Sequence, residues 1–229
     1  MWQETLLLLA IALVLAIVTK AFFVQAFYIP SGSMEPGFVK DDRIVVEKVS
    51  YWGSNSPSRG DIVVFKDPGD WLGPESVGPT NLVARLLSRI GLYPAGGHLV
   101  KRVIGIAGDT ITCCDEQGRI SVNGKPLDES GYIAPQTECN GPMPTGAAHC
   151  NWTAGPVPPG DLFVMGDNRN NSADSSEHMC TANQPNCSPG DEWVRTDLVV
   201  GKVFALIWPL GHFGLVHRPA TFDGIPDAG

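Results

Sequence analysis

Two serines in the segment YIPSGSMEP, Ser31 and Ser33, are the first residues of the chain whose type and setting suit covalent chemistry. A catalytic serine needs a partner that accepts its proton. The usual partner is a histidine, but none of the five lies in a segment with a local signature for that role: His98, His149, His178, His212 and His217. The sequence therefore does not support a Ser-His-Asp triad, and two serines with a glycine after an apolar helix are, taken alone, far more often structural than catalytic.

A lysine offers an alternative base. Lys101 interrupts the strand-like run HLVKRVIGI, with Leu99 and Val100 before it and Val103 and Ile104 after it. An apolar environment penalises the ammonium form and lowers the pKa of a lysine, so that its amine can accept a proton. The alternative interpretation is an outward-facing lysine on an ordinary edge strand.

Four stretches in a fixed order place these residues in a wider pattern. They are PSGSMEP, RGDIVVF at 59–65, KRVIGIAGD at 101–109 and GDNRNNSADS at 166–175. Together they resemble type I bacterial signal peptidases, which are membrane-anchored Ser-Lys proteases. The resemblance extends to LVVGKVFALIWP near the C-terminus and covers most of the chain, apart from residues 67–97 and some loops.

The resemblance implies roles for the residues that match. Ser33 would be the nucleophile and Lys101 the general base, acting through an acyl-enzyme without a metal or another cofactor. The hydroxyl of Ser31 and the backbone N–H of Ser33 would form the oxyanion hole.

Supporting residues also match the family pattern: Ser172, Asp174, Asp167 and Arg102. The first would orient the lysine amine, and the last two would form an ion pair, for which a surface salt bridge of small value is the alternative. Three positions depart from the pattern: Asn170, Ser176 and Ala107. Because Ser176 stands where the family has an arginine, we expect Asp174 to lack its usual ionic partner.

The resemblance implies that the partners are secretory preproteins with signal peptides. An extended substrate would add as a strand between FYIP and HLVK. The expected substrate-binding residues are Ile29, Pro30, Met34, Leu99 and Val100. Side chains at −1 and −3 from the cut would then face the enzyme together, and shallow walls would admit only small ones.

Two other functions stay open. They are a membrane-tethered Ser-Lys processing peptidase with different substrates, and a non-catalytic extracytoplasmic binding domain. The separation of Lys101 Nζ and Ser33 Oγ distinguishes catalysis from simple binding.

Residues 1–29 are expected to be a single-pass transmembrane anchor that contacts membrane lipid. Thr5 to Thr19 contains no charge, and the apolar character continues to Ile29, which gives the roughly 20 residues that a bilayer requires. A cleavable signal peptide is the alternative. The start MWQE has no basic residue, however, and large aromatics occupy the place of a small-residue cleavage site.

Composition limits the class of protein. Of the 229 residues, 43% are hydrophobic and 17% charged, which suits a sizeable core, and the net charge of −8 argues against nucleic acid as a partner. All six cysteines follow the apolar run, which favours an oxidising compartment and an extracytoplasmic location for residues 30–229. Cys139 with Cys150 and Cys180 with Cys187 would close short loops, whereas the pairing of the adjacent Cys113 and Cys114 stays in doubt.

The predicted fold is mainly β after the N-terminal helix. Runs rich in β-branched residues predict strands at 43–49, 61–66, 99–106 and 200–208. An Asn-Gly pair at 123–124 predicts a hairpin. Residues 67–97 are expected to be a peripheral insertion with a short helix, and residues from about 113 to 160 a second, smaller β region.

Overall fold

The structure is a computed structural model that describes residues 2–53, 55–69, 71–72, 81, 97–135, 151–180 and 188–228. Within these ranges the fold is mainly β, as the sequence predicts. The helix α1 spans Trp2–Phe22. The strands are β1 Val24–Tyr28, β2 Arg43–Glu47, β3 Ile62–Lys66, β4 His98–Ile106, β5 Ile111–Cys113, β6 Ser121–Val122, β7 Lys125–Pro126, β8 Trp152–Ala154, β9 Asp161–Met165, β10 Val194–Arg195, β11 Val199–Trp208 and β12 Gly214–Leu215. Short 3₁₀ turns lie at Val49–Tyr51, Thr196–Leu198, Leu210–His212 and Ala220–Phe222.

The N-terminal segment differs from the expected anchor over residues 1–29. Its helix, rich in Leu, Ala and Ile, ends at Phe22, and Val24–Tyr28 form a strand that pairs antiparallel with β2. Valine and aromatic residues suit a strand as well as a membrane segment, so composition alone did not locate this boundary. No helix in the described part of the chain combines the length and the apolar character that crossing a bilayer requires.

The larger sheet carries the candidate site. Seven of its strands lie in the order β1-β2-β11-β3-β4-β9-β10, and β12 pairs with β11. Every pair is antiparallel. The four predicted strands correspond to β2, β3, β4 and β11 within two residues at each end.

Alternation along β3 gives this sheet two buried faces. Ile62 and Val64 pack in one apolar cluster, and Val63 and Phe65 pack in another on the opposite face. Because side chains in a strand alternate between faces, the same rule assigns each residue of β4. The register aligns Val63 with Lys101 and Val64 with Val100. Lys101 and Val100 therefore face opposite sides of the sheet.

The second sheet lies in the order β7-β6-β5-β8. The predicted hairpin is present: Val122 pairs with Lys125, and Asn123 and Gly124 take φ values of 50° and 77°. Such positive φ values at both central residues are what a tight two-residue hairpin turn needs.

The cysteine pairing is described only in part. Cys113 and Cys114, whose pairing the sequence left in doubt, are joined by a disulfide. Cys180 is also disulfide-bonded. Cys139, Cys150 and Cys187 lie outside the described residues, as does the short helix expected between residues 82 and 90.

Candidate active site

Lys101 is buried in the larger sheet. It lies in β4 between β3 and β9, and only 3% of its surface is exposed. The interpretation as an outward-facing lysine on an edge strand is therefore wrong. Burial lowers the pKa of Lys101 from 10.5 to about 8, although the negative charges of Asp174 and Asp167 oppose this shift.

A chain of hydrogen bonds fixes the lysine amine. Lys101 Nζ donates to Ser172 Oγ at 2.9 Å, and Ser172 Oγ donates to Asp174 Oδ2 at 2.6 Å. Both partners are buried and belong to the loop that follows β9. The arrangement places Ser172 where the resemblance expects a residue that orients the amine.

Ser33 lies in a turn against the same loop. Gly166, the first residue after β9, has no side chain, and a Cβ built on it would lie 2.4 Å from Ser33 O and 2.3 Å from Ser172 Oγ. Only glycine permits so close an approach of the turn to the loop. Ser31 Oγ lies 3.3 Å from Ser33 Oγ, within hydrogen-bond reach. Among the described contacts, Ser33 Oγ and Lys101 Nζ do not bond to each other directly.

Arg102 and Asp167 form the expected ion pair behind the site. The guanidinium donates from Nε and Nη2 to the two carboxylate oxygens at 2.8 and 2.6 Å, and the exposed fractions of the side chains are only 4% and 2%. A third bond from Nη1 reaches Gly60 O, and the Tyr132 ring lies 4.3 Å from the guanidinium. Because the pair is buried, the interpretation as a surface salt bridge is wrong.

The five expected substrate-binding residues lie in different surroundings. Ile29 and Met34 are 2% and 1% exposed and fill one apolar cluster, against which the half-buried Val100 packs. Leu99 packs in the cluster on the opposite face of β4, since neighbours in a strand point to opposite sides. Pro30 is exposed.

The sequence did not indicate that Ser176 donates hydrogen bonds to Asp174. Its backbone N–H and its hydroxyl donate to Asp174 Oδ1 at 3.0 and 2.8 Å, and Gly166 N donates to Oδ2 at 2.9 Å. Neutral donors thus surround the carboxylate, and in the described part of the chain it forms no ion pair within 4.0 Å. Ser176 supplies two hydrogen-bond donors at the position where the resemblance implies an arginine.

A buried ion pair behind the loop was also missed. Arg169 donates to both carboxylate oxygens of Glu129 at 2.9 and 2.5 Å and to Gly166 O at 2.9 Å. The exposed fractions of the two side chains are 0% and 3%. Tyr132 OH donates to the same carboxylate at 2.6 Å. The contact joins positions 40 apart in the sequence, so no local pattern could have indicated it.

Comparison with known proteins identifies the family of this chain. The family model described as signal peptidase, peptidase S26, matches residues 2–208. "Signal peptidase I" of Mycobacterium tuberculosis (strain ATCC 25618 / H37Rv) is 38% identical over 228 residues, covering 93% of this chain and 75% of that protein. "Probable signal peptidase I-2" of Synechocystis sp. (strain ATCC 27184 / PCC 6803 / Kazusa) is 33% identical over 224 residues, covering 98% and 81%.

A solved structure adds only a weak likeness. The crystal structure of a signal peptidase I from Enterococcus faecalis V583 aligns with a TM-score of 0.38 and 21% identity, over 66% of this chain and 98% of that one. The family assignment rests instead on the family model and on the identity shared with the relatives over most of both chains. The chain therefore belongs to the signal peptidase family, peptidase S26.

Proposed function

We propose that this protein removes signal peptides from exported preproteins, with Ser33 as the nucleophile and Lys101 as the general base. The observation that carries the proposal is the setting of Lys101. Its amine is buried, its pKa is lowered to about 8, and it donates to the neutral hydroxyl of Ser172. A general base works best when its pKa lies near the working pH.

Acylation begins with the attack of Ser33 Oγ on the carbonyl carbon at the cleavage point. Neutral Lys101 Nζ takes the hydroxyl proton, which requires a separation of about 2.6–3.2 Å when substrate is bound. The new oxyanion accepts hydrogen bonds from Ser33 N–H and Ser31 Oγ. The lysine then gives its proton to the leaving amine, the C–N bond breaks, and the signal peptide remains as an ester on Ser33.

Deacylation reuses the same groups. Lys101 takes a proton from water, the resulting hydroxide attacks the ester, and the alkoxide of Ser33 leaves with the proton returned by the lysine. The products are the signal peptide with a free carboxylate and the restored serine. The Ser172–Asp174 contacts hold the amine in place through both half-reactions.

Substrate binding by strand addition is supported by two strand edges that pair with no further strand in the described part of the chain. β1 ends the order of the larger sheet. Leu99, Val100 and Lys101 pair with β3, and β9 begins its pairing with β4 only at Arg102. The rings of Phe27 and His98 lie 5.3 Å apart, so the two edges approach each other. An extended peptide between them would present side chains of period two.

We further propose that α1 associates with lipid, with residues 30–229 outside the cytoplasm. Apolar side chains along the helix are exposed, among them Leu6, Leu9, Leu13 and Ile17. Flotation of the protein with phospholipid vesicles tests lipid association, and replacing these four residues with serine should abolish flotation. Vesicle binding that survives the replacement would exclude this role for the helix.

Processing of a purified preprotein tests the catalytic proposal. Ser33→Ala and Lys101→Ala should each abolish cleavage, because the attacking oxygen or its proton acceptor is removed. The exposed Ser56 and Lys66 provide matched controls, and Ser56→Ala and Lys66→Ala should cleave like the wild type. Processing by Ser33→Ala at the wild-type rate would overturn the assignment of Ser33 as the nucleophile, whereas a wild type that cleaves no preprotein would favour a binding domain.

A panel of cleavage sites tests the substrate. Ala at −1 and −3 should be processed, Leu or Phe at −1 should abolish processing, and Leu at −2 should have little effect because that side chain points away. A misplacement of the scissile carbonyl by about 1 Å lowers the rate by roughly 100-fold. Efficient cleavage after a bulky −1 residue would favour a Ser-Lys processing peptidase of another specificity.

A further inference from the structure

The turn that carries Ser33 is held by Asn168 of the loop after β9. Glu35 N donates to Gly32 O at 3.2 Å and closes the turn, with Ser33 as its second residue. Asn168 adds two bonds to consecutive carbonyls: its Nδ2 donates to Gly32 O at 3.0 Å, and its backbone N–H donates to Ser33 O at 3.0 Å. One residue of the loop thus fixes both peptide units that flank Ser33.

The bond to Gly32 O determines where the N–H of Ser33 points. The Gly32–Ser33 peptide is trans and planar, so its C=O and its N–H point in opposite directions. The carbonyl is directed at Glu35 N and Asn168 Nδ2, and the N–H therefore faces away from both. No described group accepts a hydrogen bond from Ser33 N–H, which leaves this donor free for a ligand.

Contact with Gly166 limits how far the turn can move. A Cβ at Gly166 would overlap Ser33 O, so the turn already rests against the backbone of the loop. A peptide unit can still flip about its flanking dihedrals without moving its ends. The amide of Asn168 opposes that flip, because the flip would replace the acceptor Gly32 O with a second donor, the N–H of Ser33, opposite Nδ2.

We propose that Asn168 is a positioning residue that keeps the N–H of Ser33 directed at the oxyanion. This inference rests on the proposed function, since it concerns the intermediate formed on Ser33. Loss of one oxyanion donor lowers kcat by about 10²–10³-fold in a hydrolase. Glu35 N and the backbone of Asn168 still restrain the turn, so removing the side-chain amide alone should lower kcat by about tenfold or more.

The test compares Asn168→Ala and Asn168→Asp with wild type on a peptide that contains a cleavage site. The exposed Asn55 provides the matched control, Asn55→Ala. We expect kcat to fall about tenfold or more in Asn168→Ala and further in Asn168→Asp, whose carboxylate repels Gly32 O, while KM changes by less than about threefold.

A pair of inhibitors separates positioning from general damage. A peptide aldehyde forms a tetrahedral adduct with Ser33 and needs the oxyanion donors, whereas the corresponding peptide alcohol does not. Affinity for the aldehyde should fall in parallel with kcat, and affinity for the alcohol should stay within about twofold. The midpoint of the pH profile of Asn168→Ala should also stay unchanged, because this variant adds no charge near Lys101 and leaves its contacts in place.

Three results would overturn the inference: wild-type kcat in both Asn168 variants, equal losses for aldehyde and alcohol, or a displaced pH midpoint in Asn168→Ala. If Asn168→Ala does not fold, the similar size of Asp makes Asn168→Asp the deciding variant. Wild-type kcat in the Asn168 variants with an inactive Ser33→Ala would refute the role of Asn168 alone. Activity in Ser33→Ala would refute the proposed function and this inference with it.

Discussion

Replacing Asp174 with Asn should move the pH dependence of cleavage toward acid. Lys101 acts as a base only when it is neutral, so the activity of the wild type should be lost as the pH falls through about 8. The carboxylate of Asp174 favours the charged amine and raises its pKa. Removing that charge while keeping the shape makes the neutral form available at lower pH.

The geometry gives the size of this displacement. Bonds of 2.9 and 2.6 Å join Lys101 Nζ to Asp174 Oδ2 through one oxygen, which places the two charges within about 5.5 Å. At an effective dielectric constant of about 20, two unit charges at that separation interact by about 3 kcal/mol. Since one pH unit corresponds to 1.36 kcal/mol, about two units is the upper range, and we expect a displacement of about one to two units.

The assay is the pH profile of kcat/KM on a peptide substrate, which reports groups of the free enzyme. Each profile is normalised to its own plateau, because the variant also loses an acceptor for Ser172 and should have a lower maximum. Asp191→Asn, which changes an exposed carboxylate, provides the control and should leave the midpoint in place. A midpoint of Asp174→Asn that is unchanged or moves toward alkali would refute the reasoning.

Three further predictions concern Lys101 and the buried ion pair of Arg169 and Glu129. Lys101→Arg should be as inactive as Lys101→Ala in a processing assay, because guanidinium stays charged and accepts no proton, and retained activity would leave the lysine a purely electrostatic role. Lys101→Met should raise the free energy of unfolding at pH 7 by about 2 kcal/mol. At that pH the wild type buries a charged amine, whose pKa falls from 10.5 to about 8 on folding, and this costs stability. The hydrogen bond that the variant loses offsets about 1 kcal/mol of the gain. Because the unfolded chain holds this proton up to a higher pH than the folded protein, the gain should shrink as the pH rises from about 8 to 10.5, and a denaturant titration that finds it constant would contradict the linkage. Glu129→Gln should lower the free energy of unfolding by about 3–5 kcal/mol because it removes the carboxylate charge that the buried guanidinium of Arg169 contacts. Glu116→Gln, at an exposed position, should change it by less than about 0.5 kcal/mol, and equal effects would exclude a structural role for the pair.

Local sequence signals were sufficient to predict most of the strands that surround Lys101 in the larger sheet. β-Branched runs located β2, β3, β4 and β11, and the Asn-Gly pair located the β6–β7 hairpin. Both signals act over a few residues, because strand propensity and turn geometry depend on neighbours in the chain. The end of α1 was misplaced because valine and phenylalanine favour a strand as readily as an apolar helix, and only pairing with β2 decides between them.

Part of the candidate site could be predicted, because the sequence neighbours of a residue indicate the chemistry of its side chain. The sequence indicated that Lys101 could be neutral, and burial supplies the environment that lowers its pKa. The face that each β4 side chain takes could not be predicted, because it depends on the register with β3. The contact between Asn168 and Gly32 joins positions 136 apart, and it exists only because Gly166 lets the loop meet the turn.

The most direct test of the central claim is to trap the covalent intermediate. A single-turnover reaction with a preprotein, quenched in acid at early times, should leave the signal peptide esterified to the enzyme. Intact mass followed by peptide mapping should place the added mass on the fragment that contains Ser33, and Ser33→Ala should show no adduct. An adduct on another residue, or cleavage by Ser33→Ala at the wild-type rate, would contradict the assignment of Ser33 as the nucleophile.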